Sequence, residues 1–427
     1  MRRFEVGKSQ ADIDSVLRSI VRDAYRHVPV YRRLMEAAAV SPEDVRSSRD
    51  LSRLPIVSKE DLYRPQSLDE VLHRRISPDR CVRVTTSGSS GLPFSIYMSK
   101  LEAHYRRLLL LFAWRRVTRL SFPCTVAELV PGAVYGSGFE VRRWSAIRVV
   151  RVYAGLPIPE QLRILERARP QLLTGGPTAL ELLAEALETT GTALRPRHVV
   201  TRGEILTPDA RRKIGTALEC HVSDFYSSEE IGCIAWECPE DPQRMHLNTD
   251  ACVVEIVDDE GLPVPHGNEG NILVTNLFNR TMPFLRYELG DRAALLDVER
   301  IPCSCGARNP SLSPVSGRYD DFVHLPDGRR LSPRVVAVAL ISALSDRSSL
   351  QPPSQHSCRG FQVVQDTLDH VTVRIIPEQG VDVDFESLIP PVFRNLHPSL
   401  RCSVELVDAL EYLPSGKLKK VIDRIPK

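Results

Sequence analysis

A loop rich in hydroxyl groups and glycine lies between two short apolar runs. Residues 85–91 read Thr-Thr-Ser-Gly-Ser-Ser-Gly, with Val-Arg-Val before them at residues 82–84 and Ser-Ile-Tyr after them at residues 95–97. The flanking patterns predict a strand on each side of the loop. Because glycine adopts positive φ, the backbone N–H groups of the loop can converge on one anion, which makes it a candidate phosphate cradle. The loop lacks the ending of a Walker motif, and a plain Ser/Gly-rich hairpin is the alternative.

Four later stretches place charged side chains in turns. An acidic turn spans residues 224–232, a Gly-Asp turn lies within residues 285–292, residues 317–321 read Gly-Arg-Tyr-Asp-Asp, and residues 414–417 read Pro-Ser-Gly-Lys. Each stretch alone is a weak signal, because Gly-Asp turns are common and a lysine near a chain end is usually solvated. Their meaning depends on their order along the chain.

The composition bounds the class of protein. The chain has 427 residues and a formal net charge of +2, which gives no attraction to nucleic acid or to a membrane surface. Its basic N-terminus lacks the apolar segment of a signal peptide, and no apolar run approaches the length of a membrane span. Ten cysteines without an export signal favour thiols or a metal site over disulfides. We therefore expect a cytoplasmic protein that binds neither nucleic acid nor membrane.

Predicted elements divide the chain into regions. A helical pattern covers residues 10–40, and strands alternate with helices between residues 125 and 218, which predicts βαβ units and a sheet covered on both faces. Residues 133–139 are predicted to form a glycine-containing loop that lines a pocket. From about residue 251 the pattern becomes strand after strand. After residues 316–321, alternating helices and strands predict a compact α+β unit, in which residues 385–396 form one helix.

In this order the five motifs resemble those of the adenylate-forming superfamily, which comprises acyl-CoA synthetases, adenylation domains and luciferase. The chain is most similar to the phenylacetate–CoA ligase branch, with its relatives in capsule biosynthesis, through its short length, Leu-Pro-Ile-Val-Ser-Lys-Glu at residues 54–60 and Thr-Arg-Gly-Glu at residues 201–204. The resemblance implies an α/β fold. A large AMP-binding domain over residues 1–319 would contain mixed sheets flanked by helices and a β-rich subdomain. A small, mobile α+β lid over residues 320–427 would carry the catalytic lysine.

The resemblance implies an ATP-dependent carboxylic acid ligase. The enzyme would activate an aryl acid as an acyl-adenylate, release pyrophosphate and transfer the acyl group to CoA as a thioester. Transfer to an amine or to a carrier-protein thiol, or an inactive nucleotide-binding homologue, are the open alternatives. The expected cofactors are ATP, Mg²⁺ and CoA. The sequence does not identify the acid, and it leaves homodimer formation open.

The resemblance also assigns residues to the nucleotide. Gly203 and Glu204 would border the adenine, with Tyr226 beside it. Asp291 would accept hydrogen bonds from the ribose hydroxyls, with Arg318 nearby. The loop would hold the β- and γ-phosphates through hydroxyl and backbone donors, and its assigned members are Thr85, Thr86, Ser87, Gly88, Ser89, Ser90 and Gly91.

Catalysis would consist mainly of positioning and charge neutralisation, because both reactants are anionic. By resemblance, Lys417 would reach the bridging oxygens of the acid and the α-phosphate, and Thr86 is assigned to the catalytic group with it. Glu230 would bind Mg²⁺, a cation suited to carboxylate oxygens. The neighbouring Glu229 leaves open which carboxylate meets the metal, and we predict Glu230. Asp320 would be the hinge about which the lid turns.

The acid pocket has candidate walls in three segments. They are Tyr135, Gly136 and Phe139 in the glycine-containing loop, residues 175–177, and Phe225. Aromatic walls fit an aryl acid, but they are also ordinary core residues.

A cysteine cluster forms the second strong signal. Residues 303–306 read Cys-Ser-Cys-Gly, a tight thiolate turn, and one more cysteine with one histidine completes a tetrahedral set suited to Zn²⁺. The phenylacetate–CoA ligase branch includes members with such a set. By that resemblance we assign a structural zinc site to Cys238, His246, Cys303 and Cys305, with Cys233 left over. Buried free thiols beside an unrelated histidine are the alternative.

Overall fold

The structure, a computed structural model, describes most of the chain. The described residues are 8–63, 68–85, 95–118, 120–130, 139–144, 146–154, 156–191, 193–204, 206, 208–297, 300, 302–315, 323–331, 336, 339–340, 343–344, 358–377, 383–411 and 421–425. Within these ranges, no helix combines the length and the apolar composition that crossing a membrane would need.

Three helices build the N-terminal region: α1 (Gln10–His27), α2 (Pro29–Ala37) and α3 (Lys59–Tyr63). A capping box begins α1, because Ser9 and Asp12 each accept a hydrogen bond from the backbone N–H of the other. Pro29 begins α2, since a proline fits the first turn, where its missing N–H is not needed. The predicted helical pattern over residues 10–40 therefore forms two helices, and their apolar faces join the core of the strand-rich region.

The strands β1 (Val82–Thr85) and β2 (Ser95–Met98) pair antiparallel. Val82 lies opposite Met98 and Thr85 lies opposite Ser95. This confirms the two strands that were predicted on either side of the hydroxyl-rich loop. Residues 86–94, which include most of that loop, lie outside the described residues.

One twelve-stranded mixed sheet forms the centre of the protein. Its strands are β3 (Cys124–Val130), β4 (Phe139–Trp144), β5 (Ile147–Tyr153), β6 (Leu172–Gly175), β7 (His198–Arg202), β8 (His221–Ser228), β9 (Gly232–Cys238), β10 (Asp241–Leu247), β11 (Cys252–Val257), β12 (Glu269–Asn276), β13 (Tyr287–Leu296) and β14 (Ser311–Leu312). Their order across the sheet is β11-β12-β13-β14-β10-β9-β8-β7-β6-β3-β5-β4.

Helices cover both faces of the parallel part of this sheet, which consists of β5, β3, β6, β7 and β8. The helix α4 (Lys100–Thr118) packs on one face, and α5 (Ile158–Ala168), α6 (Pro177–Thr190) and α7 (Pro208–Leu218) pack on the other. Side chains alternate along β3, so Val126 joins the core under α4 and Ala127 joins the core under the other three helices. The predicted βαβ units are confirmed.

One predicted loop needs correction, and one hairpin was not predicted. Phe139 was predicted to lie in a glycine-containing loop, but it begins β4, where it pairs with Val152 of β5 and completes the sheet edge. The hairpin of β9 and β10 was not predicted, because consecutive strands were expected only from about residue 251. Cross-strand pairing stabilises both elements, and it is not visible in a local sequence window.

The C-terminal part contains β15 (Val323–His324), β16 (Arg330–Leu331), β17 (Cys358–Thr367), β18 (His370–Pro377), β19 (Arg401–Leu406) and β20 (Val421–Asp423). A four-stranded sheet has the order β19-β18-β17-β20 and packs with α8 (Phe385–Leu388) and α9 (Pro390–Leu396) around its own core. The single helix predicted over residues 385–396 is wrong. It is divided at Pro390, which has no N–H to continue the helix. The predicted domain boundary at residues 319–320 lies outside the described residues.

Candidate active site

The carboxyl ends of the parallel strands open on one cavity of about 1200 Å³. Val130 at the end of β3, Ala154 after β5, Gly203 after β7 and Ser228 at the end of β8 all line it. Phe225, which was predicted as a pocket wall, lines it as well. In sheets of this kind ligands bind at the carboxyl edge, because the loops that leave the strands there diverge and open a crevice. The cavity is therefore the candidate binding site.

Two loops that line this cavity approach each other closely, and glycines make this approach possible. A Cβ atom on Gly176 would lie 2.7 Å from Oε1 of Glu204, so a larger side chain would displace the carboxylate. Gly203, which precedes Glu204, has a φ of 81°, in the region that favours glycine. The segment at residues 175–177 and the pair Gly203–Glu204 were predicted for the acid pocket and the adenine, and the structure brings them together.

The two carboxylates of the acidic turn have different partners. Arg106 on α4 donates to Oε2 of Glu229 across 3.2 Å and approaches the carbonyl of Ser228 at 3.4 Å. Glu230 accepts a hydrogen bond from the hydroxyl of Tyr287 on β13, at 3.3 Å. Glu229 lines the cavity. An ion pair thus balances the charge of Glu229, whereas the described contact of Glu230 is to a neutral phenol.

A second contact joins the end of β8 to β13. The hydroxyl of Tyr226 donates to Oδ2 of Asp291 across 2.9 Å. Gly290, just before Asp291, has a φ of 80°, which turns the strand at this point. On the other side of β8, Phe225 pairs with Arg202 of β7, so Gly203 follows directly beside Tyr226. Residues assigned to the adenine, the ribose and the metal thus meet around the end of one strand.

Asp224 of β8 forms two hydrogen bonds that link this strand to its neighbours. Its Oδ1 accepts a hydrogen bond of 2.6 Å from Oγ1 of Thr201, and its backbone N–H donates to Glu237. Loss of surrounding water raises the pKa of Asp224 to about 7, while the Thr201 hydrogen bond acts in the opposite direction. Glu237 also accepts from Arg211 at 2.9 Å. The carboxyl of Asp224 therefore changes its charge near neutral pH.

Arginines form a wall of the cavity that sequence reasoning missed. The described arginines that line it are Arg83, Arg106, Arg107, Arg142, Arg151 and Arg202. Three glutamates line it with them: Glu128, Glu204 and Glu229. Gln161 also lines it, and its buried Oε1 has no hydrogen-bond partner among the described residues. One feature of the sequence could have indicated this wall. The alternation of charged residues along β4 and β5 places Glu140, Arg142 and Arg151 on one face of the two paired strands.

Several predicted site residues lie outside the described part of the chain. They are Thr86, Ser87, Gly88, Ser89, Ser90, Gly91, Tyr135, Gly136, Arg318, Asp320 and Lys417. For Thr85 the structure describes the backbone, at the end of β1. The roles of these residues stay predictions.

The four residues assigned to zinc lie together, and their ligand atoms are all within 4.8 Å of one another. Sγ of Cys303 lies 3.4 Å from Sγ of Cys238 and 3.5 Å from Nε2 of His246. Sγ of Cys305 lies 3.3 Å from the same nitrogen. Two thiols at such distances from one imidazole nitrogen, with a third thiol beside them, match the donor set of a closed tetrahedral zinc site.

The surroundings orient these ligands. Nδ1 of His246 is 3.1 Å from Oγ of Ser311, on the paired strand β14, which leaves Nε2 directed at the thiols. The backbone N–H of Glu240 donates to Cys238, and that of Ala307 donates to Cys305. Such N–H donors stabilise thiolates, so the donor set fits a zinc ion.

Comparison with known proteins gives a family match. The family model described as AMP-binding enzyme matches residues 33–278. The phenylacetate-coenzyme A ligase of Thermus thermophilus is 29% identical over 328 residues, which are 72% of this chain and 69% of that protein. The phenylacetate-coenzyme A ligase of Aromatoleum evansii is 24% identical over 434 residues, and the match covers 95% of this chain and 92% of that protein.

A solved structure shares the fold over almost the whole chain. It is a crystal structure of 2-hydroxyisobutyryl-CoA ligase in complex with 2-HIB-AMP and CoA, in the thioesterification state. The TM-score is 0.64 at 19% sequence identity, and the match covers 97% of this chain and 90% of that one. At this identity the likeness concerns the fold alone, and it confirms the predicted fold class.

Proposed function

Because the chain belongs to the AMP-binding enzyme family, we propose that it is an ATP-dependent acid–CoA ligase. The observation that carries this proposal is the meeting of Glu204, Glu230 and the Tyr226–Asp291 pair around the end of β8. These residues come from three segments, and family resemblance assigns Glu204 and Tyr226 to the adenine, Asp291 to the ribose and Glu230 to the metal. Relatives of this chain that are named phenylacetate-coenzyme A ligases support CoA as the acceptor.

The proposed reaction has two steps. A carboxylate oxygen of the acid attacks the α-phosphorus of ATP. The bond between the α-phosphorus and the oxygen that bridges it to the β-phosphate breaks, and pyrophosphate leaves. The CoA sulfur then attacks the acyl carbon, the thiol proton passes to solvent, the bond from the acyl carbon to the phosphate oxygen breaks, and AMP leaves. In this scheme Asp291 would hold the ribose, Glu204 would border the adenine, and Glu230 would hold Mg²⁺, which would supply charge neutralisation at the phosphates. Lys417 would add positive charge at the oxygens that join the acid to the α-phosphate, where negative charge is rearranged.

The proposal includes a lid formed by residues 320–427, with Asp320 as the hinge. Two observations support it. The described residues of this part have a separate hydrophobic core, which includes Phe361 and Phe393. Val392 and Leu396 of α9 line the same cavity as the ends of the parallel strands. A unit with its own core can turn as a body, and one that borders the cavity can bring Lys417 in and withdraw it.

Acid-dependent exchange of labelled pyrophosphate into ATP tests the adenylation step. We expect exchange with at least one acid from a panel of aryl and aliphatic acids, and its absence with every acid would contradict the proposal. Lys417→Ala should lower the exchange rate roughly a hundredfold or more, the scale of losing a principal charge donor. Lys213→Ala, which removes a lysine paired with Glu185 outside the cavity, is the control.

The acceptor is tested in the second step. CoA, simple amines and a carrier protein are offered separately to enzyme that holds preformed acyl-adenylate. Rapid release of AMP with CoA and formation of a thioester support the proposal. If AMP is released with an amine or a carrier protein but not with CoA, the enzyme belongs to the alternative acceptor class.

We also propose that Cys238, His246, Cys303 and Cys305 hold a structural Zn²⁺. The supporting observation is the clustering of three sulfur atoms and one imidazole nitrogen, with Ser311 orienting the ring. When bound, the ion would tie the β9–β10 hairpin, next to the acidic turn, to the segment that precedes β14. Metal analysis of the purified protein should give one zinc per chain, and a protein free of stoichiometric zinc would refute the site.

A further inference from the structure

We propose that the acid substrate carries a second anionic group, and that Arg107 and Arg142 bind this group at the wall of the cavity that α4 and β4 form. The inference rests on the proposed ligase function and names the substrate class of that same site. The carboxylate that is activated is consumed at the α-phosphate, so the second group must be a separate carboxylate, sulfonate or phosphonate.

The wall begins as a row of charged residues across three strands. Arg151 of β5 lies between Glu140 of β4 and Glu128 of β3 in the sheet register. Nε of Arg151 is 2.9 Å from Oε2 of Glu128, and Arg202 approaches Oε1 of the same glutamate at 4.0 Å. Glu128 is only 2% exposed. Its buried charge is therefore already balanced by two guanidinium groups.

Arg107, on α4, lies beside this row of charged residues. Its guanidinium carbon lies 5.6 Å from the ring centroid of Trp144, on β4. Burial, followed by the charges of Arg142 and Arg151, lowers the pKa of Arg107. No carboxylate lies within ion-pair distance of Arg107 in the part of the chain that the structure describes. Arg107 thus faces the cavity among like charges.

The wall has an excess of positive charge. Four guanidinium groups belong to it, on Arg107, Arg142, Arg151 and Arg202. Two carboxylates balance them, on Glu128 and on Glu140, which pairs with Arg142 at 2.6 Å. The two excess positive charges lie at a cavity of about 1200 Å³, which is large enough for a small-molecule ligand. A phenylacetate-like acid with an apolar ring would desolvate these groups without pairing them, which costs free energy. An anionic group would instead form charge-assisted hydrogen bonds.

The described residues assigned to the adenine, the ribose and the metal lie on other elements than Arg107 and Arg142. Glu204, Tyr226, Glu230 and Asp291 lie at or just after the ends of β7 and β8 and on β13, whereas Arg107, Arg142 and Arg151 lie on α4, β4 and β5. Arg202, the fourth arginine of the wall, is the last residue of β7. In the sheet, β6 and β3 separate β7 from β5. Arg106, the neighbour of Arg107, is already paired with Glu229 at the acidic turn. Phosphates of ATP and of CoA are the other sources of negative charge. The KM for ATP and the CoA-dependent step separate these two sources from the acid.

The test uses pyrophosphate exchange without CoA, so that only adenylation is measured. Matched acids differ in one charge: 4-carboxyphenylacetate against 4-nitrophenylacetate, which has nearly the same shape, and adipate against its monomethyl ester. We expect kcat/KM to be roughly ten to a hundred times higher for the charged member of at least one pair, the scale of hydrogen bonds to a charged group. Arg107→Met should reduce this ratio towards one without changing KM for ATP, and Arg107→Lys should keep most of it.

A control on the same helix is available. Arg115→Met removes an exposed arginine that lies over Phe122 outside the cavity, and it should leave the ratio unchanged. Arg142→Met is a second test variant in case Arg107→Met does not fold. Both members of every pair reacting equally would overturn the inference while the ligase function stands. A defect confined to the CoA-dependent step would assign the wall to CoA and also overturn it. Exchange with no acid at all would overturn the function itself.

Discussion

The hydroxyl of Tyr226 donates a hydrogen bond of 2.9 Å to the carboxylate of Asp291, although 65 positions separate the two residues in the chain. Tyr226 lies near the end of β8 and Asp291 lies on β13. Four residues before Asp291 on the same strand, Tyr287 contacts Glu230. These two contacts hold the acidic turn and the proposed ribose ligand in one arrangement. Tyr226 therefore orients the carboxylate of Asp291.

Tyr226→Phe should raise KM for ATP roughly tenfold, because one hydrogen bond to a charged group that orients Asp291 is lost. KM for the acid should change little. Both constants can be measured by pyrophosphate exchange with each substrate varied in turn. Tyr25→Phe, which removes a hydroxyl near Glu36 on the N-terminal helices, is the matched control. An unchanged KM for ATP in Tyr226→Phe would argue that Asp291 does not bind the nucleotide.

Replacing the two adjacent glutamates separates their roles. Glu230→Gln should lower the exchange rate roughly a hundredfold and raise the Mg²⁺ concentration needed for half-maximal rate, because a carboxylate ligand becomes a neutral amide. Glu229→Gln should lower the rate by less than about tenfold, since Arg106 already balances the charge of Glu229. A Mg²⁺ titration of both variants makes the comparison. The opposite ranking would assign the metal to Glu229.

Loss of a zinc ligand should destabilise the protein. Cys303→Ser and Cys305→Ser are each expected to lose the metal and to unfold at a lower temperature, because metal binding contributes to the free energy of folding. Thermal unfolding with and without a chelator measures the effect. The chelator should lower the melting temperature of the unmodified protein and leave that of Cys303→Ser unchanged. Cys220→Ser, outside the cluster, should behave like the unmodified protein, and equal chelator effects on all three would exclude a site at Cys303.

The stability of the protein should depend on Asp224 between pH 4 and pH 7. The pKa of this carboxyl is about 7 in the folded protein, above its ordinary value of 3.8, so the folded state holds a proton that the unfolded state has lost. The stabilisation is complete below about pH 4 and is lost as the pH rises through 7. Between pH 4 and pH 8 the free energy of unfolding of the native chain should fall by up to about 4 kcal/mol relative to that of Asp224→Asn.

Urea unfolding of both proteins at several pH values measures this difference directly. Taking the difference between the two proteins cancels the titration of the histidines they share. Thr201→Val is a useful companion, because it removes the hydroxyl that donates to Asp224 and should raise the pKa of the carboxyl further. A difference that does not vary with pH would show that Asp224 is ionised throughout.

The sequence by itself determined the family and the kinds of element. The order of the five motifs led to the adenylate-forming superfamily and its phenylacetate–CoA ligase branch, which the family match and the relatives confirm. Alternating apolar patterns predicted the parallel strands, the helices on both faces and the α+β C-terminal part. These features arise from local preferences and from hydrophobic periodicity, which any short window of sequence contains. The loop at residues 86–91, Arg318, Asp320 and Lys417 stay predictions.

Only the tertiary structure decided which residues meet. It placed Tyr226 against Asp291 and Arg106 against Glu229, and it gathered arginines from α4, β4, β5 and β7 at one cavity. It also corrected Phe139 from loop to strand, since pairing with β5 overrides the local pattern. Contacts between distant segments depend on strand order and register, and neither is encoded in a single window. For that reason the sequence indicated the chemistry of nucleotide activation, while the charge of the acid pocket emerged only when α4, β3, β4 and β5 were assembled.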